Sequence, residues 1–168
     1  IFLSNYKKIN KTFILKEMEE EFTLKNIKTN SDTPIITYFR NFSAPIEWET
    51  DTTFAEKLSI LEYETDYFTI YDTIKRIYKE IICKRINEKP DFNIENKLIA
   101  TLKDIIKNKK TINLSLLSEI LSIPTFSEIE SEIMNIDPLK IYKTIDNLNY
   151  LFGTKLKDEL LIKVEELY

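Results

Sequence analysis

The chain has 168 residues, of which 43% are hydrophobic and 31% are charged, a composition typical of one globular domain or of a domain with part of a neighbour. Its net charge of -4 comes from acidic and basic residues interleaved along the chain, so no basic stripe for nucleic acid is present. The absence of histidine and the single glycine exclude an imidazole-based catalytic or metal site and a glycine-rich phosphate loop.

The first part of the chain, residues 1–46, contains three segments with the composition and alternation of β-strands: 12–15, 21–27 and 35–39. Three strands without a second layer leave one apolar face in water, so they are expected to belong to an incomplete sheet. The third segment ends at Ser43-Ala44-Pro45, where proline removes a backbone donor.

After Asp51 the apolar period changes from two to about 3.6, which predicts amphipathic helices. The stripes are Phe54, Leu58 and Leu61; then Tyr67, Ile70, Tyr71, Ile74, Ile77, Tyr78, Ile81 and Ile82; then Ile94, Leu98, Leu102, Ile105 and Ile106; then Leu114, Leu117 and Leu121. The last of these belongs to a short helix over 113–121.

Two further helix starts are marked by capping residues. Thr125 and Glu128 form a capping-box pattern, and Asp137-Pro138 pairs an N-cap with proline at the first helical position. Gly153 is predicted to stop that helix and Thr154 to cap a final one. The fold class predicted for the whole chain is therefore mainly α, an antiparallel stack of five to seven helices (an α-solenoid) preceded by a few strands.

Few side chains are candidates for catalysis or ligand binding. Cys83 lies in a helical stripe and is interpreted as a small buried apolar residue. The carboxylate pairs Glu62 with Asp66 and Glu128 with Glu132 are more typical of a solvated face than of acid/base catalysis. Aromatic residues at helical spacing between 63 and 78 are interpreted as packing residues rather than a ligand site. A lone cysteine fits a reducing, cytoplasmic compartment, and no apolar run approaches the roughly 20 residues of a membrane span.

Five segments, in order, resemble motifs of one enzyme family. Residues 22–24 (FTL) are similar to its E-x-x-F-x-F strand, and residues 39–46 (FRNFSAPI) to its R-x-F-S-A-P-V segment. Residues 117–124 (LSEILSIP), 136–139 (IDPL) and 157–161 (KDELL) are similar to A-E-I-L-x-L-P, I-D-P-I and A-D-E-L-L. The family is the aminopeptidase N family of zinc metallopeptidases, and its soluble bacterial and protozoan alanyl aminopeptidase branch is the one most resembled.

The resemblance implies that residues 1–46 end a small β-sandwich domain and residues 47–168 begin the C-terminal helical domain, both incomplete. It implies that zinc and the His-Glu-x-x-His motif belong to a catalytic domain upstream, so no catalytic, cofactor-binding or metal residue is assigned in this chain. The expected partners are that catalytic domain and the parent's peptide substrates. Nucleic acid and a membrane span are not expected. Residues 1–12 and 47–49 depart from the family pattern.

Two readings stay open beside the aminopeptidase scaffold. The first is a free-standing HEAT-like helical module that holds a protein partner, although such a module has no evident use for the preceding strands. The second, more remote, is a catalytic site built from carboxylates alone, for which the sequence shows no convergent set.

Overall fold

The computed structural model of the protein describes residues 9, 11–24, 34–42, 48–108, 112–130 and 137–166. The chain divides into two compact units, Ile1–Tyr38 and Phe39–Tyr168. The predicted domain boundary after residue 46 stays a prediction, because residues 43–47 lie outside the described residues.

The described residues of the first unit form no strand, and Ile35 alone makes an isolated β-bridge. The predictions of strands over 12–15 and 35–39 are therefore wrong. Of the strand predicted over 21–27, residues 25–27 lie outside the described residues. A strand is stabilised by a ladder of hydrogen bonds to a neighbouring strand, and β-propensity alone does not hold one. Consistent with that, Ile14 and Leu15 are largely exposed, and Phe13 contacts the Phe22 ring at a centroid distance of 4.5 Å.

The second unit is helical, which confirms the predicted mainly α class. After a short 3₁₀ turn at Arg40–Phe42, the described residues form six α-helices: α1 Phe54–Tyr63, α2 Tyr67–Ile86, α3 Phe92–Asn108, α4 Leu114–Leu121, α5 Phe126–Glu130 and α6 Pro138–Glu165.

Most helix starts are set by a side chain that accepts from an otherwise unpaired backbone amide. Asp66, Asn113 and Asp137 cap α2, α4 and α6, and Pro138 follows its cap as predicted. Before α5, the Glu128 carboxylate accepts from the Thr125 amide, as predicted, and it also accepts from the Thr125 hydroxyl, which the predicted capping box did not include. The capping box at the start of α1 was not predicted, although its Thr-x-x-Glu pattern is present at residues 53–56.

Helix α2 forms the centre of the core and packs against α1, α4 and α6. Its buried side chains follow the predicted stripe, from Ile70 to Ile86. Tyr78 is fully buried, and its hydroxyl donates to the backbone carbonyl of Ile120 at 2.9 Å, which ties α2 to α4. Burial raises the pKa of Tyr78, so this phenol stays neutral and remains a donor.

The predicted stop at Gly153 and the predicted cap at Thr154 are wrong, because α6 runs without a break from Pro138 to Glu165. The buried residues Leu148, Phe152 and Leu156 are spaced by four, so the apolar face stays in phase across the glycine. Burial of that face outweighs the roughly 1 kcal/mol that glycine costs in a helix interior.

Two other burial predictions need correction. In α4 the inward side chains are Leu116, Leu117 and Ile120, whereas Leu114 is half exposed because it begins the first turn. Tyr67, predicted in the α2 stripe, is likewise about half exposed at the first position of its helix.

Candidate functional site

The segment from Phe39 to Phe42, which carries the R-x-F resemblance, is bound to the loop between α1 and α2. The Arg40 guanidinium donates to Glu64 Oε1 at 3.1 Å, and the Asn41 amide donates to Asp66 Oδ1 at 2.9 Å. Glu64 and Asp66 are both buried. We call Arg40, Asn41, Glu64 and Asp66 the Arg40 cluster.

The two carboxylates of the Arg40 cluster also organise the α1–α2 loop. Glu64 Oε1 accepts from the amides of Thr65 and Asp66 at 2.6 and 3.0 Å. Asp66 Oδ2 accepts from the amide and hydroxyl of Thr69 at 2.9 and 2.8 Å. A buried carboxylate needs such donors to offset its lost hydration, so Glu64 and Asp66 are structural acceptors that hold this loop in place.

Aromatic contacts flank the Arg40 cluster. The ring of Phe42 lies 4.8 Å from that of Phe68 on α2, and Phe39 contacts Trp48 edge-on at 5.6 Å. The Arg76 guanidinium lies 4.2 Å from the centroid of the Trp48 ring, which places a cation over its face. These contacts fasten both sides of the segment to α2.

The same segment has an uncommon backbone conformation. Phe39, Asn41 and Phe42 have φ values of 50°, 58° and 51°, in the left-handed region that phenylalanine seldom adopts. Such conformations persist where surrounding contacts fix them. The Arg40 cluster and the Phe42–Phe68 contact supply those constraints.

The carboxylate pairs considered in the sequence do not form an acid/base site. Asp66 caps α2, and Glu62 lies half-buried on α1. Hydrogen bonds from Thr125 hold the pKa of Glu128 below its ordinary value. Glu132 lies outside the described residues.

A groove of about 420 Å³ lies beside the C-terminal half of α2 and is lined by Glu80, Cys83, Lys84, Asn87 and Lys89. Cys83 is half-buried in its wall, so it is more exposed than the small buried residue that was predicted. Burial of Glu80 favours its neutral form, but hydrogen bonds from Lys84 and Lys57 outweigh that effect and lower its pKa. The groove is open and internally charge-paired, which makes it a weak site for a small molecule.

Charged pairs also connect helices. Arg85 on α2 makes two hydrogen bonds of 2.7 Å to the buried Glu95 on α3. Glu159 on α6 accepts from Lys103 and Lys107 on α3 at 3.0 and 3.3 Å, and the Lys103 bond contributes most to a lowered pKa of this carboxyl. These pairs orient helices that the apolar core brings together.

The described residues of this chain do not fit a zinc site. Zinc in proteins is held mainly by histidine, cysteine and carboxylate groups that converge on one point. The chain contains no histidine and one cysteine. Within the described ranges, no three His, Cys, Asp or Glu side chains come together as a group that could hold a metal ion.

Across the part of the chain that the structure describes, no helix is both long enough and apolar enough to span a membrane.

Some of these contacts have a recognisable pattern in the sequence, and others do not. Asp66 and Thr69 have N-cap spacing and could have been found. The partnership of Arg40 with Glu64 had no such signal, because the two residues are 24 positions apart with no repeating pattern between them.

Comparison with protein-family models matches residues 55–168 to a family described as a domain of unknown function with ARM repeats, DUF3458_C. The match includes the six α-helices that the structure describes, from the second residue of α1 onward.

Proposed function

The chain belongs to the DUF3458_C family of ARM-repeat domains, and from that membership we propose that it is a non-catalytic scaffold of a zinc-dependent aminopeptidase. DUF3458_C is the C-terminal domain found in aminopeptidase N-type proteins. The parent enzyme would remove N-terminal residues from peptides, with its zinc held by an upstream catalytic domain. Its compartment would be the cytoplasm.

The observation that carries the proposal is the family match over 55–168 together with the order of the motifs along the chain. The match includes the residues of the helical motifs, and the R-x-F segment ends at residue 46, shortly before the match begins at residue 55. In the structure, Arg40 and Asn41 of that segment bind the α1–α2 loop. We infer that the segment is the joint that sets where the helical domain begins.

In this proposal the chain contributes a surface that restricts access to the active site, and it contributes no catalytic group. The core around α2 and buried ion pairs such as Arg85–Glu95 hold its helices in fixed relative positions. A rigid helical stack beside a catalytic domain would limit access to the active site to short or unfolded peptide termini. The chain would bind no zinc itself.

The test is to recover the native protein from its source with an antibody to this chain and to map its peptides by mass spectrometry. We expect a polypeptide of roughly 100 kDa, well above the usual single-domain range, that contains a His-Glu-x-x-His peptide. It should release N-terminal residues from short peptides and lose that activity with a chelator. The purified 168-residue chain, as a matched control, should be inactive with or without zinc.

A second candidate is a free-standing ARM or HEAT-like module that holds a protein partner, which the repeat description of the family also favours. The same recovery separates the two. A native protein close to 20.0 kDa, without peptidase activity, would contradict the scaffold proposal and support the interaction module.

A further inference from the structure

The backbone of residues 39–42, which we call the strap, is strained in the absence of outside contacts. Phe39, Asn41 and Phe42 have φ values of 50°, 58° and 51°. The left-handed conformation costs free energy in any residue with a Cβ atom, and phenylalanine tolerates it less well than asparagine. The strap therefore keeps this conformation only while contacts with other segments compensate for the cost.

Polar bonds and ring contacts supply that compensation. They join Arg40 to Glu64 and Thr65 at 3.1 and 3.3 Å, the Asn41 amide to Asp66 at 2.9 Å, the Phe42 ring to that of Phe68 at 4.8 Å, and the Phe39 ring to that of Trp48 at 5.6 Å. Several of these attachments are open to solvent, since the Arg40 side chain is 28% exposed and Phe42 is 54% exposed. Water therefore competes for the polar bonds that hold the strap.

The α1–α2 loop has hydrogen bonds of its own that do not involve the strap. Glu64 Oε1 accepts from the amides of Thr65 and Asp66, and Asp66 Oδ2 accepts from the amide and hydroxyl of Thr69. If the strap leaves, both carboxylates keep these donors, and water can take the places of the Arg40 and Asn41 donors. The loop and the start of α2 can therefore stay folded without the strap.

Strain inside the strap thus opposes attachments that water can replace, on a loop that is organised without them. We propose that the strap is a detachable element of the fold. It exchanges between the attached state of this structure and a released state, in which its left-handed residues relax while the α1–α2 loop and the helices stay folded. Proteins open locally, without global unfolding, at segments with few buried contacts. The exchange controls whether the segment with the R-x-F resemblance is attached to the helices.

The test is amide hydrogen exchange of the 168-residue chain, followed by NMR, at two amides that donate to the same carboxylate. The Asn41 amide donates to Asp66 Oδ1 from the strap, and the Thr69 amide donates to Asp66 Oδ2 from the first turn of α2. We expect the protection factor of Asn41 to be at least about tenfold below that of Thr69, because the strap opens without α2. The Asn41 value should be insensitive to low concentrations of urea, since release exposes little surface.

Two variants of one position isolate the contribution of strain. Phe42→Ala removes the ring and keeps a Cβ atom at a φ of 51°, whereas Phe42→Gly removes both the ring and the steric cost. The attached state should be more populated in the glycine variant. We expect its Asn41 protection factor to be about threefold or more above that of Phe42→Ala.

A third variant removes an attachment. Arg40→Gln should reduce the protection factor of Asn41 to about one, while Thr69 stays protected and the helical content measured by circular dichroism is unchanged. The matched control is Lys140→Gln, which removes the same charge from an exposed ion pair elsewhere and should leave the Asn41 value as it is.

Three results would overturn the inference. The first is equal protection of Asn41 and Thr69 with the same dependence on urea, because the strap would then open only when the whole unit unfolds. The second is a Phe42→Gly chain no better protected at Asn41 than Phe42→Ala. The third is an Arg40→Gln chain that loses its helices or fails to fold, since the helices would then require the strap. None of these measurements depends on zinc or on peptidase activity, so the proposed function can fail without affecting this inference.

Discussion

Glu88 occupies a left-handed backbone position, at the end of α2, where glycine is the preferred residue. It follows the C-cap of α2 with a φ of 60°, in the left-handed region. The Lys89 amide donates to the Lys84 carbonyl at 2.9 Å, and the Glu88 amide donates to the Arg85 carbonyl at 3.1 Å. This is the hydrogen-bond pattern of a Schellman motif, in which glycine is the preferred residue at the left-handed position.

We therefore expect Glu88→Gly to stabilise the chain, because glycine adopts this φ without a steric cost. The thermal midpoint should rise by about 2–4 °C, the shift that corresponds to roughly one kcal/mol at this chain length. The exposed ion pair of Glu88 with Lys140 is lost, and exposed pairs contribute little. Glu88→Ala is the control that removes the same ion pair and keeps the strain. A midpoint no higher than that of Glu88→Ala would contradict the prediction.

At the scale of the element, α6 is a helix held together by its packing more than by its composition. Gly153 lies near its middle, where the backbone is helical and the space beside the α-carbon is open. Helix propensity alone would favour a break at this point. The helix stays continuous because its buried apolar residues Leu148, Phe152 and Leu156 remain on one side of it across the glycine.

Gly153→Ala should accordingly stabilise the 168-residue chain by about 0.5–1 kcal/mol, because alanine loses less backbone freedom on folding and meets no neighbour. Urea unfolding followed by circular dichroism measures the change. Gly153→Pro is the opposite control, since proline in a helix interior costs about 3 kcal/mol. A destabilising Gly153→Ala would show that the helix is not continuous at this position.

The pair of Arg85 with Glu95 links two elements, α2 and α3. Glu95 is almost fully buried, and both of its oxygens accept from the Arg85 guanidinium at 2.7 Å. Removal of one partner leaves the other charge without compensation in a dry site. We expect Arg85→Ala to lower the free energy of unfolding by about 3 kcal/mol. Lys163→Ala, which breaks the exposed pair with Glu166, should change it by no more than about 0.5 kcal/mol.

At the scale of the whole molecule, carboxylates contribute stability that depends on pH. The pKa of Glu56 is lowered by hydrogen bonds from Thr53, and that of Glu128 by those from Thr125. At Glu80, hydrogen bonds from Lys84 and Lys57 outweigh burial and also hold the pKa below the ordinary 4.5. A group with a lowered pKa in the folded state stabilises the fold above its ordinary pKa and loses that contribution as the pH falls.

We expect the free energy of unfolding to be constant from pH 7 to about pH 5.5, and to fall steadily below pH 4.5 as these carboxylates take up protons. Urea titrations at intervals between pH 7 and pH 3 measure this profile. Glu80→Gln should be less stable at pH 7 and show a shallower decline in acid. A decline that is equally steep in Glu80→Gln would show that its pairing with Lys57 and Lys84 does not contribute.

The amino-acid sequence by itself determined the helical part of the fold. The 3.6-residue period after Asp51, the N-cap at Asp137 and the proline at 138 are local signals, which can be recognised from side-chain periodicity and capping patterns alone.

Only the tertiary structure decided the features that depend on distant neighbours. The continuity of α6 through Gly153, the absence of strands among the described residues before Phe39, and the pairing of Arg40 with Glu64 all depend on what other segments supply. Packing energy can override a local preference, and a strand requires a partner that its own composition does not provide. The burial of Leu148, Phe152 and Leu156 against neighbouring helices is likewise a result of tertiary packing, chiefly of α6 on α2 and α3.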